Sequence, residues 1–336
     1  MDSLTHIVLG GCIGDAVARK ELGKKALVLG ALSQSIPDID FVASFWLNPA
    51  NDLLAHRGFT HSFLFIILLA PVLALVIDRF VLPRVLSFWT WTAFFFIQMF
   101  MHVFLDAFNT YGVGWFEPFS HTRISFNVLF VADPFFSIPP AIAMGWVLMR
   151  GTEYKYRKVL VRTALVWCAL YMSYSLINKY QIDMAVRRNL ATQGIRADTY
   201  FSTPTPLNTW LWYVVVNTNQ GSYVGFRSVF DSKEKIDFEF FSRNDSLLVP
   251  VDDHEDVQHL RRFAQGYHTV EMWGDTLVFN DLRFGQMLGW QDPRGQFVFH
   301  YFINHPEDNE LIVQRGRFSG WNSQATRSFL NRIRGN

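Results

Sequence analysis

His102 and Asp106 lie four residues apart inside a run of aromatic and aliphatic residues. On a helix that spacing puts both side chains on one face, where they can share an ion or hydrogen-bond each other. His56-Arg57-Gly58-Phe59-Thr60-His61 sets two imidazoles around a glycine that lets the chain turn sharply before the next apolar run. Asp38 and Asp40 follow Pro37, a residue that breaks the helical ladder and opens backbone carbonyls to a polar cavity. His6 opens the first apolar stretch, and His121 and Asp133 flank the start of a later one. Imidazole and carboxylate together suit Zn²⁺, and also Mn²⁺ or Fe²⁺, while the absence of thiolates argues against a closed structural zinc site.

The elements that must position these groups are long and apolar. Half of the 336 residues are hydrophobic and only 18% are charged, too apolar a mix for an ordinary soluble protein of this size. Six stretches, roughly 3–18, 25–47, 61–82, 87–108, 127–149 and 159–178, approach the length of about 20 residues that a helix needs to span a bilayer. The expected architecture is a multi-pass α-helical membrane domain of about six helices over 1–178. A soluble, mainly β (α+β) domain follows over 179–336.

Basic residues set the orientation, since short cytoplasmic loops are rich in Lys and Arg. Arg19, Lys20, Lys24 and Lys25 follow the first stretch, Arg79 and Arg84 the third, and Arg150, Lys155, Arg157 and Lys158 the fifth. Odd-numbered loops are then cytoplasmic. Both termini and the C-terminal domain then lie on the opposite, extracytoplasmic side of the membrane. On this topology His6, Asp38, Asp40, His56, His61, His102, Asp106, His121 and Asp133 all fall in the extracytoplasmic half. An ionisable residue costs about 2.5–3.5 kcal/mol or more at the centre of a membrane helix. Gathering so many at one depth therefore points to a shared metal site. Arg57 and Arg123 are the basic residues near the cluster, each a planar fork suited to phosphate or carboxylate. Asp15 sits deeper, as a helix-packing or outer-shell residue.

In the C-terminal part, Trp210 to Val216, Tyr223 to Phe230, Ile236 to Phe241, Thr269 to Trp273 and Phe297 to Ile303 read as strands. A helix is expected near 253–265, capped by Asp252 or Asp253, and Thr203-Pro204-Thr205-Pro206 reads as a turn or linker. Five histidines here, His254, His259, His268, His300 and His305, lack metal-ligand spacing. A net charge of +1, without a basic patch, gives no reason to expect nucleic acid. Cys12 and Cys168 fall in apolar stretches and read as packing residues.

Met1-Asp2-Ser3-Leu4-Thr5-His6, Pro37-Asp38-Ile39-Asp40, the His56-to-Ser62 element, and His102 through Asp106 to Asn109, Tyr111 and Gly112 together resemble the YdjM family of inner-membrane, metal-dependent hydrolases. The resemblance covers roughly residues 1–150. That family is distantly similar to zinc-dependent phospholipase C and the single-strand nucleases, so the resemblance implies phosphoester hydrolysis at a zinc cluster. It also implies His6, Asp38, His56, His61, His102 and Asp106 as metal ligands, with Asp40 as ligand or base. The secreted phospholipases use a processed N-terminal Trp that this chain lacks, which leaves one to three ions as the implied occupancy. Asp38, Asp40 and Arg57 are the implied catalytic groups: a carboxylate to orient or deprotonate water, and an arginine to hold phosphate. A lipid-linked phosphoester reaching the outer membrane face by lateral diffusion suits such a cluster. The alternative is a non-enzymatic metal-binding transporter or envelope-assembly scaffold using the same groups.

Overall fold

A computed structural model describes residues 1–150, 154–305, 308–309 and 320–335. The chain forms two compact units. One comprises Met1–Ala43, Ala55–Ser175 and Pro206–Asn208, the other Ser44–Leu54, Leu176–Thr205 and Thr209–Asn336.

In the first unit, helix α1 (Ser3–Leu22) is capped by the Asp2 carboxylate, which accepts from Thr5 N–H at 3.0 Å. It packs along α2 (Lys25–Gln34) at a distance that only glycine allows. A Cβ on Gly14 would stand 2.2 Å from the Ala26 carbonyl oxygen, and one on Gly30 would stand 2.2 Å from that of Gly10. Lipid gives helices no hydrophobic reason to associate, so close backbone approach is the means by which such a pair holds.

After α2 the chain bends by 54° into a 3₁₀ helix, Pro37–Phe45. Pro37 lacks the N–H that would continue the ladder. A short helix, α3 (Pro49–Ala55), all but its last residue belonging to the second unit, precedes the His56–His61 turn. Ser62 then caps α4 (Phe63–Val76), accepting from Phe65 N–H at 3.1 Å. Helix α5 (Phe88–Asp106) presents Trp91, Phe95, Met99 and Val103 at four-residue spacing to Ile66, Ala70 and Ala74 of α4. Helix α6 (Pro134–Arg150) and the first part of α7 (Arg157–Gln193) complete the unit, with Cys12, Leu27, Ala143, Val147, Val161 and Ala164 forming one apolar cluster. Both cysteines are free and buried.

Among the described residues, three helical stretches are long and apolar enough to cross a membrane: Phe63–Val81, Phe88–Asp106 and Arg157–Gln193. The count becomes four if the bent Lys25–Phe45 pair is one span. The expected six is not reached on length and composition. Helix α6 has 17 residues, and α1 carries Asp15, Arg19, Lys20 and Glu21 in its second half. The stretch expected over 159–178 is the beginning of a 37-residue helix.

The second unit holds a four-stranded antiparallel sheet in the order β1 (Thr199–Pro204), β2 (Leu211–Asn217), β3 (Gly221–Ser228), β4 (Phe238–Ser242). A three-stranded sheet follows: β5 (His268–Trp273), β6 (Thr276–Gln286), β7 (Phe297–Phe302). Strand β2 is buried on both faces. Trp212, Val214 and Val216 meet Ile182, Val186 and Leu190 of α7, while Tyr213 and Val215 meet Leu282 and Phe297 of the other sheet. Helices α8 (Glu255–Ala264) and α9 (Ser323–Ile333) accompany the sheets. The five expected strands and the expected helix appear within a few residues. The residue before α8 is His254 rather than either aspartate, and it makes no side-chain cap. Thr203 and Pro204 belong to β1 rather than to a linker, Pro204 ending the strand opposite Trp212.

The α1/α2 packing makes a test. Gly14→Ala is expected to destabilise the protein by about 1–3 kcal/mol, the usual cost of overpacking, and to lower its thermal midpoint in detergent. Gly145→Ala, whose added Cβ meets nothing within 4 Å, should leave that midpoint unchanged or slightly raised.

Candidate metal centre

Asp38, His61, His102 and Asp106 come together from the 3₁₀ helix, the turn before α4, and the last turn and a half of α5. Their ligand atoms all lie within 4.8 Å of one another. His61, His102 and Asp106 are fully buried, whereas Asp38 is 20% exposed and marks the open side.

What each imidazole does with its second nitrogen fixes its role. His102 Nδ1 lies 2.5 Å from the Gln34 carbonyl oxygen, which can only accept, so Nδ1 carries the proton. His61 Nδ1 lies 3.1 Å from Thr60 Oγ1 and 3.2 Å from the Asp40 carboxylate, and because that hydroxyl donates to Asp40 both neighbours accept and Nδ1 carries the proton here too. As neutral rings both then point bare Nε2 lone pairs inward, and these two atoms stand 3.1 Å apart. Asp38 Oδ1 lies 3.3 Å from His102 Nε2 and 3.5 Å from His61 Nε2, and Asp106 Oδ2 lies 3.6 and 3.5 Å from the same atoms. Four acceptors thus face one point with no donor among them. Such a set could hold a metal ion, and its outward N–H groups are anchored as metal-binding histidines require.

The remaining expected residues surround this group. His6 stacks on His102 with ring centroids 3.7 Å apart, and its Nε2 lies 3.0 Å from Asp106 Oδ1. The Met1 amine also pairs with Asp106. His56 is not in the four-residue group: its Nδ1 lies 3.2 Å from Asp40 Oδ1, and burial pushes its pKa below the usual histidine range, partly offset by that hydrogen bond. Asp40 is engaged on all sides, by His56, His61, Thr60 Oγ1 at 3.2 Å and Arg57 N–H at 2.7 Å.

Arg57 is buried and ties the group together. Its Nε lies 3.1 Å from Asp106 Oδ2, NH1 donates to Asn109 Oδ1 at 2.7 Å, NH2 donates to the Met1 carbonyl at 3.1 Å, and the guanidinium sits 4.9 Å from the centre of the Tyr111 ring. The turn itself is made at Arg57, with φ +59°, and not at Gly58, with φ −86°. A left-handed conformation at a residue with a Cβ costs about 1–2 kcal/mol, so the surrounding bonds hold this backbone in place. Arg123 NH2 donates to the His56 carbonyl at 2.9 Å. His121 pairs with Glu117, and Asp133 accepts from the Tyr171 hydroxyl, so neither is part of the four-residue group. Asp15 forms a buried ion pair with Arg157. Sequence reasoning passed over Gln98, although it lies one helical turn before His102 on the same apolar helix and is fully buried.

These features define a helical protein with an Asp/His centre able to hold a metal. The YdjM inner membrane protein family matches residues 1–182, and the chain belongs to that family. It is 31% identical over 154 residues to the Bacillus subtilis (strain 168) protein named "Uncharacterized protein YfhP", covering 43% of this chain and 46% of YfhP. It is 30% identical over 123 residues to the Escherichia coli (strain K12) inner membrane protein YbcI, covering 36% of this chain and 69% of YbcI. The chain thus spans about half the length of YfhP, the first of these relatives. No solved structure matches.

Two substitutions test the centre. His102→Ala should lose most bound metal when purified protein is assayed by elemental analysis, while His121→Ala should keep it. Arg57→Lys cannot reproduce the fork to Asp106 and Asn109 and should weaken metal binding about 10–100-fold in a chelator competition. Unchanged affinity would show that the guanidinium does not support Asp106.

Proposed function

We propose that the protein is a membrane-bound, metal-dependent hydrolase acting on a phosphoester at the extracytoplasmic face. The observation that carries this reading is the convergence of four acceptor atoms with one partly exposed member, Asp38, on the open side. Structural zinc sites are closed, whereas a centre that does chemistry keeps one side accessible. Zn²⁺ fits the two-imidazole, two-carboxylate donor set, and Mn²⁺ or Fe²⁺ would also fit.

A divalent ion held there would lower the pKa of a coordinated water towards about 7 and so supply a nucleophile at neutral pH. The chain's own residues divide the remaining work. His61, His102, Asp106 and Asp38 Oδ1 would hold the ion, the first three oriented by Asp40, the Gln34 carbonyl and Arg57 in turn. Asp38 Oδ2, on the open side and 3.4 Å from Ser3 Oγ, would orient the attacking water and take its proton. Asp40, bonded to four groups, serves as the orienting partner of His61 rather than as the base. Arg57 holds Asp106 rather than the substrate phosphate, because its nitrogens are already engaged inside the protein.

The substrate class follows from surroundings. Ile39 and Phe41, on the same 3₁₀ helix as Asp38 and Asp40, are exposed, as are Leu4, two residues before His6, and Phe59 between the two turn histidines. Apolar side chains flanking a polar centre suit a lipid-linked phosphoester whose chain stays in the bilayer while its head group reaches Asp38. A transporter would need polar groups leading on through the membrane; among the described residues the buried Gln34 and Gln98 carry the polar row one helical turn past the centre, and Asp15 beyond them is neutralised by Arg157.

Purified protein in lipid nanodiscs should release the head group from a lipid phosphoester, lose that activity to a chelator, and regain it with added Zn²⁺ or Mn²⁺. Asp38→Asn should lower kcat by about 10²-fold or more, the usual contribution of a general base. Fully metal-loaded protein that cleaves neither lipid nor generic phosphoesters would overturn the hydrolase reading.

A further inference from the structure

On α5 the polar residues do not stop at the metal centre. Asp106, His102 and Gln98 follow one another at four-residue steps on one face, all fully buried, over a rise of about 12 Å along an otherwise apolar helix. Gln34, also fully buried, comes from the end of α2. Both glutamines gather around Gly10, which lies one turn beyond His6 on α1: Gln98 Nε2 donates to the Gly10 carbonyl at 3.2 Å, and Gln34 Oε1 lies 2.6 Å from where a Gly10 Cβ would stand. The missing Cβ gives the amides their room.

Their hydrogen bonds are incomplete. Gln34 Oε1, Gln34 Nε2, Gln98 Oε1 and His6 Nδ1 are buried and have no hydrogen-bond partner among the described residues. A buried amide left unpaired is costly, and native proteins meet that demand with ordered water where the site is polar. The demand is also mixed. Two amide oxygens need donors and one amide nitrogen needs an acceptor. His6 Nδ1 is an acceptor while Nε2–H donates to Asp106, and becomes a donor if Nε2 instead faces an ion. A cation would answer only the acceptors. Water answers both.

We propose that Gln34, Gln98 and the Gly10/Gly30 backbone form a binding site for ordered water, one helical turn deeper than the metal centre, with His6 as the link between the two layers. On the hydrolase reading above, this site is the reserve that replaces the water consumed at each turnover. The water site itself does not depend on that reading.

The test is an experimental structure of the full chain in a lipid environment, at a resolution that shows ordered water, for wild type and for Gln34→Leu/Gln98→Leu. Wild type should show peaks at about 2.7–3.2 Å from Gln34 Oε1 or Nε2 and from Gln98 Oε1. The double variant should lose them and, having exchanged amides with three unpaired polar atoms for apolar groups of similar size, should keep its thermal midpoint within a few degrees of wild type. Glutamine side chains closed on each other or on backbone carbonyls, with no peak between, would overturn the proposal. So would a single peak at about 2.3–2.6 Å from oxygens alone, the signature of a hard cation. The wild-type map decides the matter even if the variant fails to fold. Peaks in a protein with no hydrolytic activity would remove the hydrolase reading and leave the water site, and activity without peaks would do the reverse.

Discussion

The buried ion pair between Arg57 and Asp106 is the interaction on which the rest of the centre depends. Asp106 ends α5 at zero exposure, and a carboxylate so placed is costly unless paired. Arg57 supplies the charge and, with the same guanidinium, reaches Asn109 and the Met1 carbonyl. Its backbone N–H meets Asp40 and its carbonyl accepts from Gly114 N–H at 2.9 Å. One residue thereby fixes the end of α5, the 3₁₀ helix, the chain start and the loop beyond α5 relative to one another. Breaking such a pair from one side costs more than the pair contributes, because the buried charge that remains loses a partner.

Around that pair the imidazoles are arranged by what lies behind them. Asp40 and the Gln34 carbonyl each take an Nδ1 proton, and this turns both Nε2 lone pairs towards Asp38 and Asp106. Without a positive centre such an arrangement is electrostatically unfavourable, and with one it is a ligand set. The glycine-dependent approach of α1 and α2 serves the same end, since α1 brings His6 and the end of α2 brings Gln34. Helix packing and site chemistry are therefore the same set of constraints read at two depths.

The C-terminal unit is built on different physics. Strand β2 is buried on both faces, and its alternating side chains serve α7 on one side and the second sheet on the other. The strands were legible in the sequence because aromatic and β-branched runs between turn formers survive any packing arrangement. Two were not: β1, because Thr203-Pro204 carries a turn signal, and β6, whose apolar run is broken by Asn280, Asp281 and Arg283. An edge strand tolerates a terminal proline whose missing N–H the sheet does not need.

The sequence by itself determined the membrane character, the ligand types and the spacing that puts His102 and Asp106 on one helical face. It also carried the motifs through which the chain is seen to belong to the YdjM inner membrane protein family. These are local or compositional properties, and periodicity expresses them directly. Only the tertiary structure decided which of the histidines and aspartates meet. It separated His56 and Asp40 from the group of Asp38, His61, His102 and Asp106, and it committed Arg57 to the protein's interior. It also brought out Gln98, an uncharged residue in an apolar helix whose signal in the sequence was its four-residue spacing from His102. The physical reason is that a ligand's role is set by what its other atoms bond to, and those partners lie far off in the sequence, His6 being 100 residues from Asp106.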